Sequence, residues 1–307
     1  MNWEQIKTLL ILSFLILNIY LFVQFLDKKE QADIGVLEQQ QSTIEDQLKA
    51  ESIMLPELPD EEYEETYISV KQELFHEEDI ILSKNLIAQK PTLINDYFIV
   101  SKLDEPMEIT KGNFHKELEE IFPRLVLSPD EYTYWHWNEK MNVIIYFQTK
   151  MDRPIYFNQN GLVLLFVNNK NEITYYTQTK LGDTETLAEK RELIEPIKAI
   201  ETLYNGNELN QGDDITSVKI GFHTRVPFEG GVQVFAPIWK VNVNNQKDFF
   251  VNAIEGFTFS TKEEDFLVET IEATLERISA YEKDDKAMKE IEEDMEERIE
   301  QLHRGES

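Results

Sequence analysis

The feature that most constrains this chain is an uncharged, apolar run close to its start. Residues 8–26 read TLLILSFLILNIYLFVQFL, nineteen residues without a charged side chain. A helix rises about 1.5 Å per residue, so this run comes close to spanning the roughly 30 Å hydrocarbon core of a bilayer. The small-residue cleavage site of a secretory signal peptide does not follow it. The run therefore predicts one retained transmembrane helix, preceded by a short stretch at residues 1–7.

Polar side chains within this run are candidates for contacts in the membrane. Asn18 lies near the middle of the predicted span, with Ser13 and Gln24 towards its ends. A polar side chain in hydrocarbon is costly unless another helix satisfies it, which favours a partner helix. The alternative is a single asparagine that an otherwise apolar anchor tolerates.

The orientation of the anchor is left open by local charge. Lys28 and Lys29 outnumber Lys7, which taken alone favours a large cytoplasmic part. The chain has no cysteine, which is typical of a protein that avoids redox chemistry outside the cytoplasm. The same absence excludes disulfides, cysteine-ligated zinc, iron–sulfur clusters and thiol nucleophiles.

The charge balance excludes another class of partner. With 30 Lys+Arg against 59 Asp+Glu, the formal net charge of the 307-residue chain is −29. Nucleic-acid affinity comes mainly from Lys and Arg that neutralise phosphates, so a nucleic-acid partner is not expected. Docking on an anionic lipid surface is disfavoured for the same reason.

Residues 27–62 are predicted to form a helical stalk followed by an acidic linker. Five positions follow the 3–4 spacing of a short coiled-coil seam: Ile34, Leu37, Gln41, Ile44 and Leu48. Pro56 and Pro59 interrupt any helix, and the acidic residues around them indicate a solvated linker. A simple stalk leading away from the membrane is the alternative to a coiled coil.

The remainder predicts an α+β fold with two tandem modules, each with an antiparallel meander sheet and packed helices. In the first module, residues 63–180, a helix is expected over Asn113–Ile121, and strands over Asn142–Thr149, Leu162–Val167 and Ile173–Gln178. Asn160–Gly161 predicts a type I′ hairpin turn. In the second, residues 181–262, we expect a helix over Leu187–Leu203, interrupted or begun afresh near Pro196, and strands over Ile215–Val226, Val232–Val243 and Phe249–Ala253. Residues 263–307 predict one long, acidic amphipathic helix.

Motifs that carry chemistry are missing from the sequence. The five histidines show no H-x-x-x-H or H-E-x-x-H spacing, and no G-x-S-x-G, Walker or G-x-G-x-x-G sequence occurs. We therefore predict no catalytic residue, no metal site and no cofactor. In the aromatic segment around His136, an extended strand would place Trp135 and Trp137 together in the core with His136 exposed on the other face. A binding patch is the alternative.

Two segments resemble the YycI (WalI) family. The opening resembles the family's start at Trp3, Lys7, the Gln24–Leu26 exit, Lys28 and Lys29. The hairpin formed by Pro237–Val241, Phe249–Ala253 and Gly256 resembles the close of YycH/YycI-type modules and of PepSY-like domains, with Trp239 and Gly256 as its structural residues. The resemblance covers about residues 1–262, and the acidic tail departs from it.

The resemblance implies a non-enzymatic accessory regulator of the WalK/WalR (YycG/YycF) two-component system, which controls cell-wall metabolism in Gram-positive bacteria. It implies two partners, a YycH-like paralogue and the sensor histidine kinase WalK (YycG), contacted through the membrane helix and the extracytoplasmic modules. It also implies a cytoplasmic N-terminus and an extracytoplasmic bulk. The alternative is an anchored envelope module that binds cell-wall components or inhibits a peptidase.

Overall fold

The computed structural model describes residues 43–58, 63–82, 89–224, 232–259, 261–281 and 285–305, with nine single positions between 3 and 22. Residues 1–52 and 53–307 form two compact units. The predicted transmembrane run 8–26 and stalk 27–62 lie largely outside the described residues. Within the described parts, no helix combines the length and the apolar composition needed to cross a membrane.

Among the described residues 43–58, the first unit contains the helix α1 (Ile44–Ala50). The Thr43 hydroxyl caps its start by accepting a hydrogen bond from the Asp46 amide at 3.3 Å. Leu48, one of the predicted seam residues, is fully buried. Three seam positions, residues 34, 37 and 41, lie outside the described residues.

The second unit contains five helices and fifteen strands in its described part. The helices are α2 (Glu77–Leu82), α3 (Phe114–Ile121), α4 (Pro196–Asn205), α5 (Glu263–Ser279) and α6 (Lys286–Gly305), with short 3₁₀ turns at Phe122–Arg124 and Pro129–Glu131. The strands are β1 (Glu64–Glu65), β2 (Ile68–Gln72), β3 (Gln89–Ile94), β4 (Phe98–Glu108), β5 (Tyr132–Asn138), β6 (Val143–Lys150), β7 (Arg153–Tyr156), β8 (Leu162–Val167), β9 (Glu172–Thr179), β10 (Leu181–Thr186), β11 (Arg191–Glu192), β12 (Ile215–Thr224), β13 (Val232–Val243), β14 (Lys247–Asn252) and β15 (Thr258–Phe259).

Thirteen of the strands join one hydrogen-bonded network. Its main path runs β10-β2-β13-β12-β7-β6-β8-β9-β4-β3, with β14 and β15 continuing from β13, and β5 beside β6. The strand pairs are antiparallel except for β7 and β12, which are parallel. β2 lies between β10 and β13, so strands from both predicted modules share hydrogen bonds. The division at residue 180 stays a prediction, while the α+β class with a largely antiparallel sheet is confirmed.

The central strands bury both of their faces. β8 is buried at every position, which explains its continuous apolar run LVLLFV. Leu162, Leu164 and Phe166 point to one core, which we call the tail core because α5 and α6 cover it. Val163 and Leu165 point to the opposite one, the α3 core.

The predicted type I′ turn at Asn160–Gly161 is wrong. Such a turn needs positive φ at both central residues, and neither residue has it. β8 pairs with β6 rather than with the strand just before it. A Cβ on Gly161 would lie 2.8 Å from Leu181 Cδ1 and 3.0 Å from Gln148 Oε1, so close packing explains this glycine.

The two tryptophans of β5 do not share a face, contrary to expectation. A bulge falls between Tyr134 and His136 in the pairing with β6, and Trp135 is the extra residue. Trp135 therefore packs against the tail core and Trp137 belongs to the α3 core. His136 is exposed, as predicted.

The helix predicted over Leu187–Leu203 begins only at Pro196. Proline is well suited to the first turn of a helix, because it has no amide hydrogen to satisfy there. The segment before it contains β11, which pairs with β1.

The tail forms two helices where one was predicted. α5 ends at Ser279 and α6 begins at Lys286, where the Asp285 carboxylate accepts a hydrogen bond from the Ala287 amide at 2.8 Å. Both helices pack their apolar side chains into the tail core. The start of α5 is held by Glu263, which accepts hydrogen bonds from Trp135 Nε1 at 2.8 Å and Asn138 Nδ2 at 2.9 Å.

Candidate functional site

The residues predicted to contact a partner helix are only partly described. Ser13 and Gln24 lie outside the described residues, whereas Asn18 is helical and exposed. Apolar neighbours on the same segment are also exposed, with Phe14 58%, Leu21 51% and Phe22 61% accessible. The described positions of this segment thus carry a high share of uncovered apolar surface.

Trp239 lies inside the sheet rather than on a contact surface. Its side chain is 1% exposed, and its Nε1 donates a hydrogen bond to the Ile194 carbonyl at 2.8 Å. Tyr63 packs edge-on against the indole, with the ring centroids 5.3 Å apart. Trp239 therefore connects β13 to the segment that leads into α4.

Gly256 lies in the turn between β14 and β15. Its φ of +69° is a conformation that glycine adopts without strain. Its amide donates to the Asn252 carbonyl at 2.9 Å, and the Asn252 side chain accepts from the amides of Ile254 and Glu255. Backbone geometry, rather than a ligand, accounts for this glycine.

A cavity opens beside His223, between the ends of β12 and β13 and the start of α5. Its volume is about 430 Å³, and an adjoining cavity of about 220 Å³ shares His223, Thr224 and Thr261 with it. We call the two together the His223 cavity. Ligand sites in proteins occupy roughly 300–1,000 Å³, so this size suits a small molecule.

His223 is held as a neutral imidazole in the wall of this cavity. Burial lowers its pKa from 6.5 to about 4, although a hydrogen bond with the Thr224 backbone opposes that shift. The Phe259 ring lies 4.5 Å from the imidazole, centroid to centroid. The Thr261 hydroxyl approaches Nε2 at 3.5 Å. A neutral imidazole offers one donor nitrogen and one acceptor nitrogen, so His223 adds both kinds of group to the cavity wall.

A cluster of buried amides forms the floor of the larger cavity. Asn158 Nδ2 donates to Gln233 Oε1 at 2.6 Å and to Thr224 Oγ1 at 3.1 Å. Asn158 Oδ1 accepts from the Asn160 amide at 2.9 Å. Gln233 is 5% exposed, and its Nε2 donates to no described residue. This donor lines the cavity and is available to a ligand there.

Charged side chains line the rim where α5 begins. Asp265 and Glu269 are exposed residues one helical turn apart, and Lys262 precedes the helix. None of the three forms an ion pair with another described residue. The cavity therefore offers neutral hydrogen-bonding groups at its floor and a net negative rim.

Sequence reasoning did not find this site. Asn158, Thr224 and Gln233 are neutral polar residues far apart in the chain, and no spacing connects them. His223 belongs to no metal-binding spacing in the sequence. In the described part of the chain, no three His, Asp or Glu side chains are placed to hold a metal ion.

A family model described as YycI protein matches residues 31–254. The chain belongs to the YycI family. That membership associates it with regulation of the WalK (YycG) two-component system, and the YycI family is one of regulatory accessory proteins. α5 and α6 lie beyond the matched residues, as the sequence predicted for the tail.

The other comparisons add little to this YycI-family assignment. Among solved structures, an uncharacterized protein from Eubacterium rectale is similar with a TM-score of 0.37 and 9% identity, covering 68% of this chain and 89% of its own. No curated protein matches the chain.

Proposed function

We propose that this protein is a membrane-anchored, non-enzymatic regulator of the sensor histidine kinase WalK (YycG). The observation that carries the proposal is the family match over residues 31–254. Regulation proceeds through protein contacts, with a YycH-like paralogue as the second partner. The two tandem modules of the sequence analysis supply the extracytoplasmic part of those contacts.

The anchor is the apolar run 8–26, with residues 1–7 in the cytoplasm and the bulk of the chain outside the membrane. Support comes from the nineteen uncharged residues and from the exposed apolar side chains at the described positions of the run. Apolar side chains in such numbers are stable when lipid or another apolar helix covers them.

Differential binding is the physical basis of the proposed regulation. An accessory helix shifts the equilibrium between two kinase states only as far as it binds them unequally. Asn18 is the residue best suited to such a contact, because an exposed amide in hydrocarbon gains from a hydrogen bond with a neighbouring helix. The sheet and the α5–α6 pair act as a folded body that presents further contact surface.

The test is affinity purification of the full-length protein from its native membrane. A matched version carries an unrelated transmembrane helix in place of residues 8–26. Recovery of the kinase and the paralogue with the native helix, and their loss with the replaced one, is the expected result. Recovery with both versions would move the contact to the folded modules.

Absence of both partners from both preparations would contradict the regulator proposal. The anchored envelope module would then be the better explanation, since a module of that kind acts on wall components or on a peptidase without the kinase. Its soluble fragment would be expected to retain that binding when the anchor is removed.

A further inference from the structure

The His223 cavity combines three features that the proposed regulation by protein contacts does not use. The first is Gln233 Nε2, a donor on a side chain that is 95% buried and that has no acceptor among the described residues. A ligand group that accepts a hydrogen bond from this donor is therefore favoured in the cavity. A carbonyl oxygen is the usual acceptor for such an amide.

The second feature is the charge of the rim. Asp265 and Glu269 contribute two carboxylates against the single ammonium of Lys262, and none of them is paired within the described part of the chain. The chain as a whole is also acidic, with a formal net charge of −29 that includes these three residues. Electrostatics at the rim therefore favours a cationic group over an anion.

The third feature is the smaller cavity behind His223. Its walls include Ala236, Ile238, Phe257 and Phe259, and its volume of about 220 Å³ accommodates an aromatic or branched side chain. His223 stands at the junction of the two cavities, with its Nε2 3.5 Å from the Thr261 hydroxyl. A ligand that fills both cavities has one apolar arm and one polar end.

We propose that the His223 cavity binds the amino-terminal residue of a short peptide, or an equivalent α-amino amide. The ammonium lies between Asp265 and Glu269, the carbonyl oxygen accepts from Gln233, and the apolar side chain enters the space beside Phe259. Capture of an N-terminal amine is a recurring mode of peptide recognition. Binding of this kind gives the protein a small-molecule input that is independent of its membrane contacts.

The probe is L-phenylalaninamide, titrated calorimetrically into the full-length chain in detergent at pH 6.5. At that pH an α-ammonium is largely protonated, because its ordinary pKa is about 7.7–8.0. N-acetyl-L-phenylalaninamide is the matched probe, since it keeps the carbonyl and the ring but has no charge. Empty micelles of the same detergent measure any partitioning of the probes.

Saturable binding of L-phenylalaninamide is expected, with the acetylated probe at least about tenfold weaker. The double variant Asp265→Asn/Glu269→Gln removes both rim charges from exposed positions and is expected to weaken binding about tenfold. Glu272→Gln, on the same helix but outside the cavity, is the control and is expected to bind as the wild type does.

Three results would overturn the proposal. They are no saturable heat with L-phenylalaninamide, equal binding of both probes, and equal binding by the double variant. These results leave the proposed regulation of the kinase untouched, because the purification experiment does not depend on this cavity.

Discussion

Arg298 of α6 reaches the carbonyl oxygen of Val167, which accepts a hydrogen bond from Nη2 at 3.0 Å. The same guanidinium donates to the carbonyls of Met141 at 2.6 Å and Asn142 at 3.1 Å. Asp294, one turn earlier on α6, accepts from Arg298 Nε at 2.6 Å and from the Tyr175 hydroxyl, also at 2.6 Å. The buried guanidinium of Arg298 thus satisfies carbonyl groups just before the start of β6 and at the end of β8. These hydrogen bonds connect α6 to both strands.

Arg298→Met is expected to lower the free energy of unfolding by about 3 kcal/mol, because it leaves buried carbonyls without donors. Urea unfolding of the full-length chain, followed by fluorescence, measures the change. Arg304→Met is the matched control, since Arg304 is exposed and pairs with Glu300 on the same helix. The control is expected to cost less than about 0.5 kcal/mol. Equal effects of the two substitutions would show that the buried network is not stabilising.

Gly221→Ala is expected to destabilise the protein by about 1–3 kcal/mol. A Cβ at this position would collide with the Tyr156 ring and lie 3.0 Å from the Pro154 carbonyl oxygen, across the parallel β7–β12 pairing. Gly112→Ala is the control, because nothing lies within 4 Å of a Cβ there. Thermal unfolding compares the two variants, and an unchanged transition for Gly221→Ala would contradict the close approach of these strands.

Acidification is expected to destabilise the folded state through His223. Its pKa of about 4 lies below the unfolded value of 6.5, so the unfolded chain takes up the proton first. The stability that the neutral form gives is complete above pH 6.5 and is lost as the pH falls towards 4. Between pH 7 and pH 4.5 the loss amounts to about 2 kcal/mol.

The variant His223→Gln isolates this contribution, because the carboxylates that also titrate in acid are common to both proteins. Its free energy of unfolding is expected to fall less between pH 7 and pH 4.5 than that of the wild type. His136→Gln changes an exposed histidine and is expected to follow the wild type. Parallel pH curves for His223→Gln and the wild type would contradict a buried neutral imidazole.

Asn18→Leu is expected to reduce co-purification of the partner proteins roughly three- to tenfold, the range that one hydrogen bond between membrane helices supplies. The far-ultraviolet circular dichroism of the variant is expected to match the wild type. Leu17→Ile, a neighbouring change between apolar residues, is the control. Undiminished recovery of the partners with Asn18→Leu would remove this residue from the proposed contact.

Local patterns predicted the strands well and their partners poorly. Leu162–Val167 and Val232–Val243 are strands with the predicted bounds, because continuous or alternating apolar residues reflect burial directly. The bulge at Trp135 could not be predicted, since one extra residue leaves the composition of β5 unchanged and places Trp135 and Trp137 on opposite faces of the sheet. β2 pairs with β10 and β13, which lie more than 100 residues further along the chain. The local sequence of β2 does not indicate which distant strands it pairs with.

The candidate site was harder to predict than the fold. Asn158 and Gln233 become a pair only because β13 runs past the segment after β7, and neutral amides are common in loops and strand ends. Arg298 shows the same difficulty, because a charged residue on an acidic helix indicates a solvated surface. Its burial depends on three carbonyls that converge from the turn before β6 and from the end of β8.

The position of β2 has a consequence for how the chain is made. Both of its neighbours in the sheet, β10 and β13, are synthesised long after it, and so is β11, the partner of β1. At about 5–20 residues per second, a ribosome needs on the order of ten seconds to supply them. During that interval the Ile68–Gln72 segment leaves the ribosome with both edges unpaired. It is among the first parts of the sheet to be translated, and it cannot pair along either edge until β10 has followed it.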